Sequence, residues 1–401
     1  MKICVILAAG EGKRMRPLTG SRPKVMLPIA GKPMLQHLIS EVRDAGINEF
    51  ILVVGYGEAA VRSYFSDGSD LGISIRYITQ KRQRGTGDAL ISVAPFIKTS
   101  FLLLNGDMVV KKNDIISVLS TPAPAMGLYT SDHPEDYGVV TMKGDRICSL
   151  EEKTNKPKGK LINAGIYLFD YDIFDILKTL TPSPRGEIEL TDALLPFISK
   201  GVLTGVSLKY WADMGSPWDL LGVHEEMMQD IIPVQEGKIE DGVIIKGNVS
   251  IGAGSTIMSG SYIEGPCIIG SGCRIGPHAY LRPGSSIGDN CHIGHSSEIK
   301  NSIIMNNTNV PHFSYIGDSV IGSGCNFGAG TKVANLRHDK AGIKIGGVDT
   351  RRRKFGAVIG DDVLFGINCS VNVGAVIGNH TRIGPHALVE GNILDNTVIR
   401  R

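Results

Sequence analysis

The chain carries two hydrophobic rhythms, and they meet near residue 235. Before that point, short apolar runs alternate with stretches of helical period. Lys2–Leu7, Phe50–Val54, Ile73–Ile78 and Phe101–Asn105 read as strands. Pro33–Ala45 reads as a helix, with Leu35, Leu38, Ile39 and Val42 on one face and Gly46 ending it. Strands separated by helices predict a mostly parallel sheet, which binds its ligands at the carboxyl ends of the strands. Ser216-Pro217 pairs an N-cap with a first-turn proline and predicts a last helix leading out of this half.

From residue 239 the period is six. Positions 239, 245, 251, 257, 263, 269, 275, 281, 287, 293 and 299 are all Ile, except for Leu281. Gly often follows the anchor, as in Ile251-Gly252, which suits a turn in every hexad. The phase slips by one residue to Ile304, Val310 and Ile316, and again to Ile321, Phe327 and Val333. After a non-periodic stretch over 334–357 the rhythm resumes at Ile359, Phe365, Val371, Ile377, Ile383 and Val389. Hexads of this kind predict a parallel β-helix, in which stacked coils share one apolar core. Four residues after an anchor comes a small slot, filled by Cys267, Cys273, Cys291, Cys325 and Cys369 and elsewhere by Ser or Ala. Cys behaves there as a small hydrophobe, so these thiols predict core and not a metal site. His278, His292, His295, His380 and His386 read as surface residues of the coils.

The 401 residues suffice for two domains, predicted over 1–230 and 231–401. Lys and Arg number 42 against 40 Asp and Glu, which excludes a strongly basic nucleic-acid binder. No apolar run approaches the ~18 residues of a membrane span. The N-terminus lacks the pattern of a signal peptide, and the seven cysteines form no C-x-x-C pair. Together these predict reduced thiols and a cytoplasmic protein with neither membrane nor nucleic-acid partner.

The candidate chemistry begins at Leu7-Ala8-Ala9-Gly10-Glu11-Gly12-Lys13-Arg14, a glycine loop just after the first strand. Glycines let backbone N–H groups approach a phosphate, and the basic residues add charge. Alone, this loop also fits a plain strand-to-helix turn. It is followed by Pro23-Lys24, by Gln80 ahead of Gly85-Thr86-Gly87, and by Asn105-Gly106-Asp107 closing a buried strand. The series resembles the sugar-1-phosphate nucleotidyltransferase family over roughly residues 1–230. The resemblance implies an α/β Rossmann-like domain in which a sugar-1-phosphate oxygen attacks the α-phosphorus of a nucleoside triphosphate. It implies that Arg14 and Lys24 act on the phosphates and that Asp107 and Asp213 hold Mg²⁺. It places the base against Leu7, Ala8, Ala9, Gly10 and Gly12, read by Gln80, Gly85 and Thr86. The sugar phosphate falls to Gly138, Glu152, Lys153 and Asn163. The Gln80–Gly87 segment looks like the uridylyltransferase version, whereas Trp211-Ala212-Asp213-Met214-Gly215 looks more like thymidylyl- and guanylyltransferases. UTP and dTTP therefore both stay open.

In the second half, Pro311-His312-Phe313-Ser314-Tyr315-Ile316-Gly317-Asp318 sits between the two phase slips. Arg282-Pro283-Gly284 and Glu298-Ile299-Lys300 precede it, and Asn326, Ala329 and Asn335 follow. From about residue 235 onward this order resembles the acetyltransferase half of the bifunctional N-acetylglucosamine-1-phosphate uridylyltransferase/glucosamine-1-phosphate acetyltransferases. The resemblance implies a left-handed β-helix that acetylates an amino-sugar phosphate with acetyl-CoA. His312 would be the general base, a task suited to an imidazole. Arg282 and Lys300 would hold the sugar phosphate, Tyr315, Asn326 and Asn335 would orient the reactants, and Ala329 would line the acetyl-CoA site. A homotrimer or trimer-based assembly, with acetyl sites at subunit interfaces, is implied as well. Two alternatives remain: a thymidylyl- or guanylyltransferase with a merely structural β-helix, and a non-catalytic regulatory subunit. Intact Arg14, Lys24 and Asp107 weigh against the second.

Overall fold

The computed structural model describes residues 3–152, 154, 156–184 and 186–400. Two compact units emerge: Met1–Glu11, Pro23–Met26 and Met34–Asp213 form the first, and Gly12–Arg22, Leu27–Pro33 and Met214–Arg401 the second. The helix Pro217–Met227 packs with the second unit. Its fully buried His224 accepts a hydrogen bond from the Ala30 N–H at 3.0 Å, while its other ring nitrogen lies 3.1 Å from the Gly284 carbonyl oxygen. Ser216 caps this helix by accepting from the Asp219 N–H, as its sequence predicts.

The first unit is built on a nine-stranded sheet. Ser74–Thr79, Glu49–Val54, Ile3–Ala8 and Phe101–Asn105 lie side by side in that order, all parallel. The expectation of a mostly parallel sheet holds for these strands; beyond them the pairings are antiparallel except for Thr204–Ser207 beside Ala125–Thr130. Leu161–Phe169 runs antiparallel to Phe101–Asn105, and Gly138–Lys143 forms a hairpin with Arg146–Glu152. The two-residue connection of that hairpin is far too short for a parallel crossover. Alternation along Ile3–Ala8 sends Cys4, Ile6 and Ala8 to one layer with Leu35, Leu38 and Ile39, and Val5 to another with Leu90, Phe174 and Leu194. Ile3–Ala8 separates strands that enter from opposite sides, so the crevice beyond its carboxyl end is the ligand position expected of such sheets.

The second unit is a parallel β-helix with three faces. Ile239 pairs with Ile257, Ile257 with Ile275 and Ile275 with Ile293, one coil per 18 residues. Face A carries these strands through Asn309–His312 and is continued by the bridges of Asn326 to Asn309 and Leu364. Face B runs from Ile244–Lys246 to Leu388–Val389, and face C from Val249–Ile251 to Asn392–Ile393. The register explains the slips. Ile287 stacks on Ile304, and Ile304 on Ile321, so each of those coils is one residue short. Both lost residues lie at the corner leading from face B to face C, after Ile299 and after Ile316. The stretch 334–357 is inserted at that same corner, between Val333 on face B and Ile359 on face C. It forms its own hairpin, Lys344–Ile345 with Val348–Asp349. The other two corners keep the six-residue step throughout, which is why the core stays in phase.

The anchors from Ile251 onward are buried in one continuous core, with Phe327 and Phe365 stacked at 4.6 Å between ring centroids. Cys267, Cys273, Cys291, Cys325 and Cys369 line it as free thiols. Burial pushes the Cys267, Cys291 and Cys325 thiols up to about 12. Since the thiolate is the reactive form, a maleimide at neutral pH should modify Cys148, the one exposed cysteine, and spare the other six. Mass spectrometry should show one adduct on native protein and seven after denaturation. No helix among the described residues is long and apolar enough to cross a membrane.

Candidate active sites

The first site is assembled where the parallel strands end. The Leu7 carbonyl accepts from the Gly106 N–H at 2.9 Å, and the Ala9 carbonyl accepts from the Tyr56 N–H at 3.2 Å and the Gln83 amide at 2.8 Å. A Cβ on Gly10 would meet nothing within 4 Å, so its backbone faces open space into which a phosphate or base can come close. Gln80 is nearly buried and spends its amide on the Gly85 carbonyl at 3.1 Å and on Asp88 at 2.8 Å. Gly85 has φ +97°, and a Cβ there would lie 2.4 Å from the Ile188 carbonyl oxygen. The Thr86 hydroxyl accepts from the Leu190 N–H at 3.1 Å. Gln80 and Thr86 therefore hold the loop around Gly85 in shape.

Lys24 is the electrostatic centre. Its ammonium lies 2.6 Å from Asp107 and 3.7 Å from Asp213, with only 7% of its side chain exposed. Asp213 reaches this point because Trp211–Asp213 pairs antiparallel with Met108–Val110, setting Asp213 opposite Met108. A buried cation between two carboxylates is the arrangement that its desolvation demands. The same two carboxylates converging on one point form a donor set that suits Mg²⁺, which usually takes one or two carboxylates plus substrate phosphates. Among the described residues no group of three or more His, Cys, Asp or Glu forms a fuller cage.

On the sugar side, Gly138 and Glu152 face each other in register across the hairpin, and a Cβ on Gly138 would fall 2.8 Å from the Glu152 carboxylate. Asn163 donates to the Tyr167 hydroxyl at 2.8 Å and accepts from the Gly165 N–H at 3.0 Å. Lys153 lies outside the described residues. Gly12 and Arg14 belong to the second unit. Gly12 has φ +70°, and a Cβ on Gly215 would sit 3.3 Å from the Arg14 guanidinium. Burial pushes the nearby Asp219 carboxyl up, with Ser216, Arg351 and Arg14 opposing.

The second site lies on face B and its irregular corner. Lys300 donates to both Asp318 oxygens, at 3.0 and 2.8 Å, and Asp318 is nearly buried. Asn335 donates to Asp318 and, at 3.1 Å, to the Tyr315 hydroxyl. One coil earlier Arg282 pairs with Glu298 at 2.9 Å, and Glu298 stacks in register on Tyr315. Four of the residues singled out by sequence, Arg282, Lys300, Tyr315 and Asn335, are thus gathered together. His312 is exposed at the end of its face A strand, with the corner Phe313-Ser314 between it and Tyr315. Its carbonyl accepts from the Gly330 N–H at 3.1 Å, which sets Ala329 beside it on the next coil. Asn326 stands exposed on face A, bridged to Asn309. His312 and Ala329 therefore meet at one corner while the phosphate-binding candidates fill the adjoining face. Of the five histidines read as surface, His278, His380 and His386 are exposed, but His292 and His295 are half-buried. Burial, with Arg274 and His312 nearby, holds His292 below the usual histidine range.

Residues 3–230 match the nucleotidyl transferase family, and residues 263–377 match the GMPPB C-terminal domain. The chain is 48% identical over 402 residues to the bifunctional protein GlmU of Methanococcus maripaludis strain C7, spanning 98% of this chain and 96% of that one. The chain belongs to the bifunctional GlmU family. Another relative is a bifunctional sugar-1-phosphate nucleotidylyltransferase/acetyltransferase of Sulfurisphaera tokodaii, 37% identical over 97% of each chain. A Bacillus anthracis crystal structure assigned as a glucose-1-phosphate thymidylyltransferase, with sucrose bound, is similar at TM-score 0.54 and 28% identity. It covers 59% of this chain and 98% of its own, so its likeness omits a large part of this GlmU family member.

Sequence reasoning missed several residues that the geometry adds. Asp318 receives Lys300, Asn301 and Asn335 at once, and its signal was its place in the His-x-x-Tyr-x-Gly-Asp string. Glu298 and Gln83 had no comparable signal, since each is visible only through a partner on another strand or loop. Trp211 donates its indole N–H to the Ala164 carbonyl at 2.8 Å, bracing the strand that delivers Asp213.

Proposed function

We infer that the protein is a bifunctional enzyme. It acetylates glucosamine-1-phosphate with acetyl-CoA and couples the resulting N-acetylglucosamine-1-phosphate to UTP, giving UDP-N-acetylglucosamine and pyrophosphate. The observation that carries this reading is the presence of two separate polar clusters, around Lys24 and around Lys300, in a chain aligned almost end to end with bifunctional relatives.

At the acetyl site, the sugar's 2-amino nitrogen attacks the thioester carbonyl of acetyl-CoA. His312 takes the proton that the nitrogen sheds, the carbon–sulfur bond breaks, and the departing coenzyme A thiolate takes that proton from His312 and leaves as the thiol. Arg282 and Lys300 bind the sugar phosphate; Tyr315, Asn326 and Asn335 set the orientation, and Ala329 lines the coenzyme's path. At the nucleotidyl site, Lys24 and Arg14 neutralise charge as a sugar-phosphate oxygen displaces pyrophosphate from the α-phosphorus, a reaction in which positioning and charge stabilisation do most of the work. Asp107 and Asp213 would hold Mg²⁺, which supplies further phosphate neutralisation when bound. Leu7–Gly10 with Gly12, Gln80, Gly85 and Thr86 form the wall of the base pocket. Gly138, Glu152, Lys153 and Asn163 form the sugar side.

The proposal extends to a catalytic domain over 1–230, a left-handed hexapeptide β-helix over 231–401, and a trimer or trimer-based assembly. Seven free thiols suit the reducing cytoplasm. One observation favours a second reading: the likeness to a glucose-1-phosphate thymidylyltransferase over 59% of this chain fits a single-activity nucleotidyltransferase with a merely structural β-helix. The assay that decides supplies acetyl-CoA, Mg²⁺ and glucosamine-1-phosphate, with and without UTP, and follows free thiol and pyrophosphate. Thiol release without UTP, and pyrophosphate only with both cosubstrates, is the expected result. Pyrophosphate from glucose-1-phosphate without any thiol release would overturn it in favour of the scaffold.

A further inference from the structure

The corner leading from face C to face A carries a ladder of side chains that cap backbone N–H groups of the coil below. Asn306 accepts from the Asp289 N–H at 3.0 Å, Asp361 from Ser323 at 2.7 Å, Asn379 from Asp361 at 2.8 Å, and Asp395 from Asn379 at 2.7 Å. Each rung stands two residues after an anchor, as in Ile359-Gly360-Asp361 and Ile377-Gly378-Asn379. Asp289, Asn306 and Asp395 are exposed, as corner residues of a solenoid should be. Asp361 and Asn379 are only 5% and 6% exposed. What covers them is the segment Gly12–Arg22, which belongs to this same unit.

The contacts are specific. Arg22 donates to Asp361 at 3.0 Å and to the Ser323 hydroxyl at 3.2 Å, and its guanidinium lies 2.9 Å from the Met305 sulfur. Ser21 donates to the second Asp361 oxygen. Asn379 donates its amide to the Pro17 carbonyl at 3.2 Å, and Thr19 closes the segment on itself by donating to the Gly12 carbonyl at 3.1 Å. The next returning segment, Leu27–Pro33, is pinned in turn through Ala30 to His224. Because the Ala30 N–H occupies Nδ1, the proton of His224 sits on Nε2 and donates to the Gly284 carbonyl. Along the chain these two segments flank Lys24, and the first of them carries Arg14.

We propose that Asp361 and Asn379 are positioning residues for nucleotidyl transfer: two rungs of the acetyltransferase half hold the Arg14-bearing segment in its working shape. The ladder's own capping needs only one carboxylate or amide oxygen per rung, and the bare rungs show that a coil closes without any cover. The additional bonds to Arg22, Ser21 and Pro17 hold that loop and leave the coil as it was. This inference rests on the role proposed above for Arg14.

The test uses full-length enzyme and both product assays on Arg22→Ala, Asp361→Asn, their double variant and Arg22→Lys, with Arg14→Ala alongside. Arg22→Ala and Asp361→Asn should each lower kcat for pyrophosphate release by about tenfold, since small misplacements near a reacting centre cost that much or more. KM for UTP should stay within about twofold, the signature of an interaction that matters in the transition state. The double variant should be no slower than the slower single variant, because both break one link. Arg22→Lys should recover most of the rate, and thiol release should be unchanged in all four. Unchanged pyrophosphate release in both single variants, with Arg14→Ala inactive, would overturn the proposal while leaving Arg14's role intact. A parallel fall of both activities would reduce Asp361 to a purely structural rung and overturn it too. Full activity in Arg14→Ala would overturn the reading of Arg14 and the proposal with it.

Discussion

Replacing His312 by Ala is expected to lower acetyl transfer by about 10²–10⁴-fold while pyrophosphate release from N-acetylglucosamine-1-phosphate and UTP stays at its original rate. The reacting amine must lose a proton for the amide to form, and without a base that proton has only water to accept it. His312 is placed to serve because it ends a face A strand, exposed, at the corner where the chain turns toward Tyr315 and Lys300. Its main chain is held independently of its ring: the carbonyl accepts from Gly330 and from the Ser314 hydroxyl at 2.9 Å. Losing an exposed ring from such a position should leave the coil standing. Free-thiol release at saturating acetyl-CoA is the measurement, with pyrophosphate release on the same preparation as control. Retention of full thiol release would remove His312 from the chemistry and move the search to His295 on the neighbouring coil, which pairs with it in register.

Asp107→Ala should do the reverse, cutting pyrophosphate release by about 10²–10³-fold, the usual scale for losing one preorganised electrostatic group, and sparing thiol release. Two effects add. The substitution removes one of two carboxylates proposed for Mg²⁺. It also removes the 2.6 Å partner of the nearly buried Lys24 ammonium, weakening the hold on the cation where a phosphate would meet it. Asp107 is itself 40% exposed, so the sheet should tolerate the change. Asp107→Asn keeps the shape and removes only the charge. A loss as large in Asn as in Ala would assign the effect to charge and not to packing. If either His312→Ala or Asp107→Ala abolished both activities in folded protein, the reading of two separable sites would fall.

Much of this is legible in the sequence. The glycine loop, Lys24, Asp107 and the histidine string are short motifs, and short motifs are local: each needs only its neighbours in sequence to be recognised. Their spatial agreement was not legible. Lys24 and Asp107 are separated by 83 positions, and only the pairing of Trp211–Asp213 with Met108–Val110 brings in the second carboxylate. Gln80 and Thr86 show the opposite case. Both lie where the motif predicts, yet their side chains are spent on Gly85, Asp88 and Leu190.

The β-helix was determined by the sequence alone, because its packing partner is one coil away and every coil repeats the same demand. A buried anchor every sixth residue, with a small slot four later, leaves no other way to share one core. Which corner absorbs the irregularities was decided only by the tertiary structure. Sequence shows two missing residues and one long insertion, but only the register puts all three after face B, beside Lys300, Asp318 and Asn335. The capture of Gly12–Arg22 by Asp361 and Asn379 is of the same kind. Periodicity reports what a residue's own repeat requires. A hydrogen bond between positions more than 300 residues apart forms only when the whole chain has closed around it, and no local pattern encodes that.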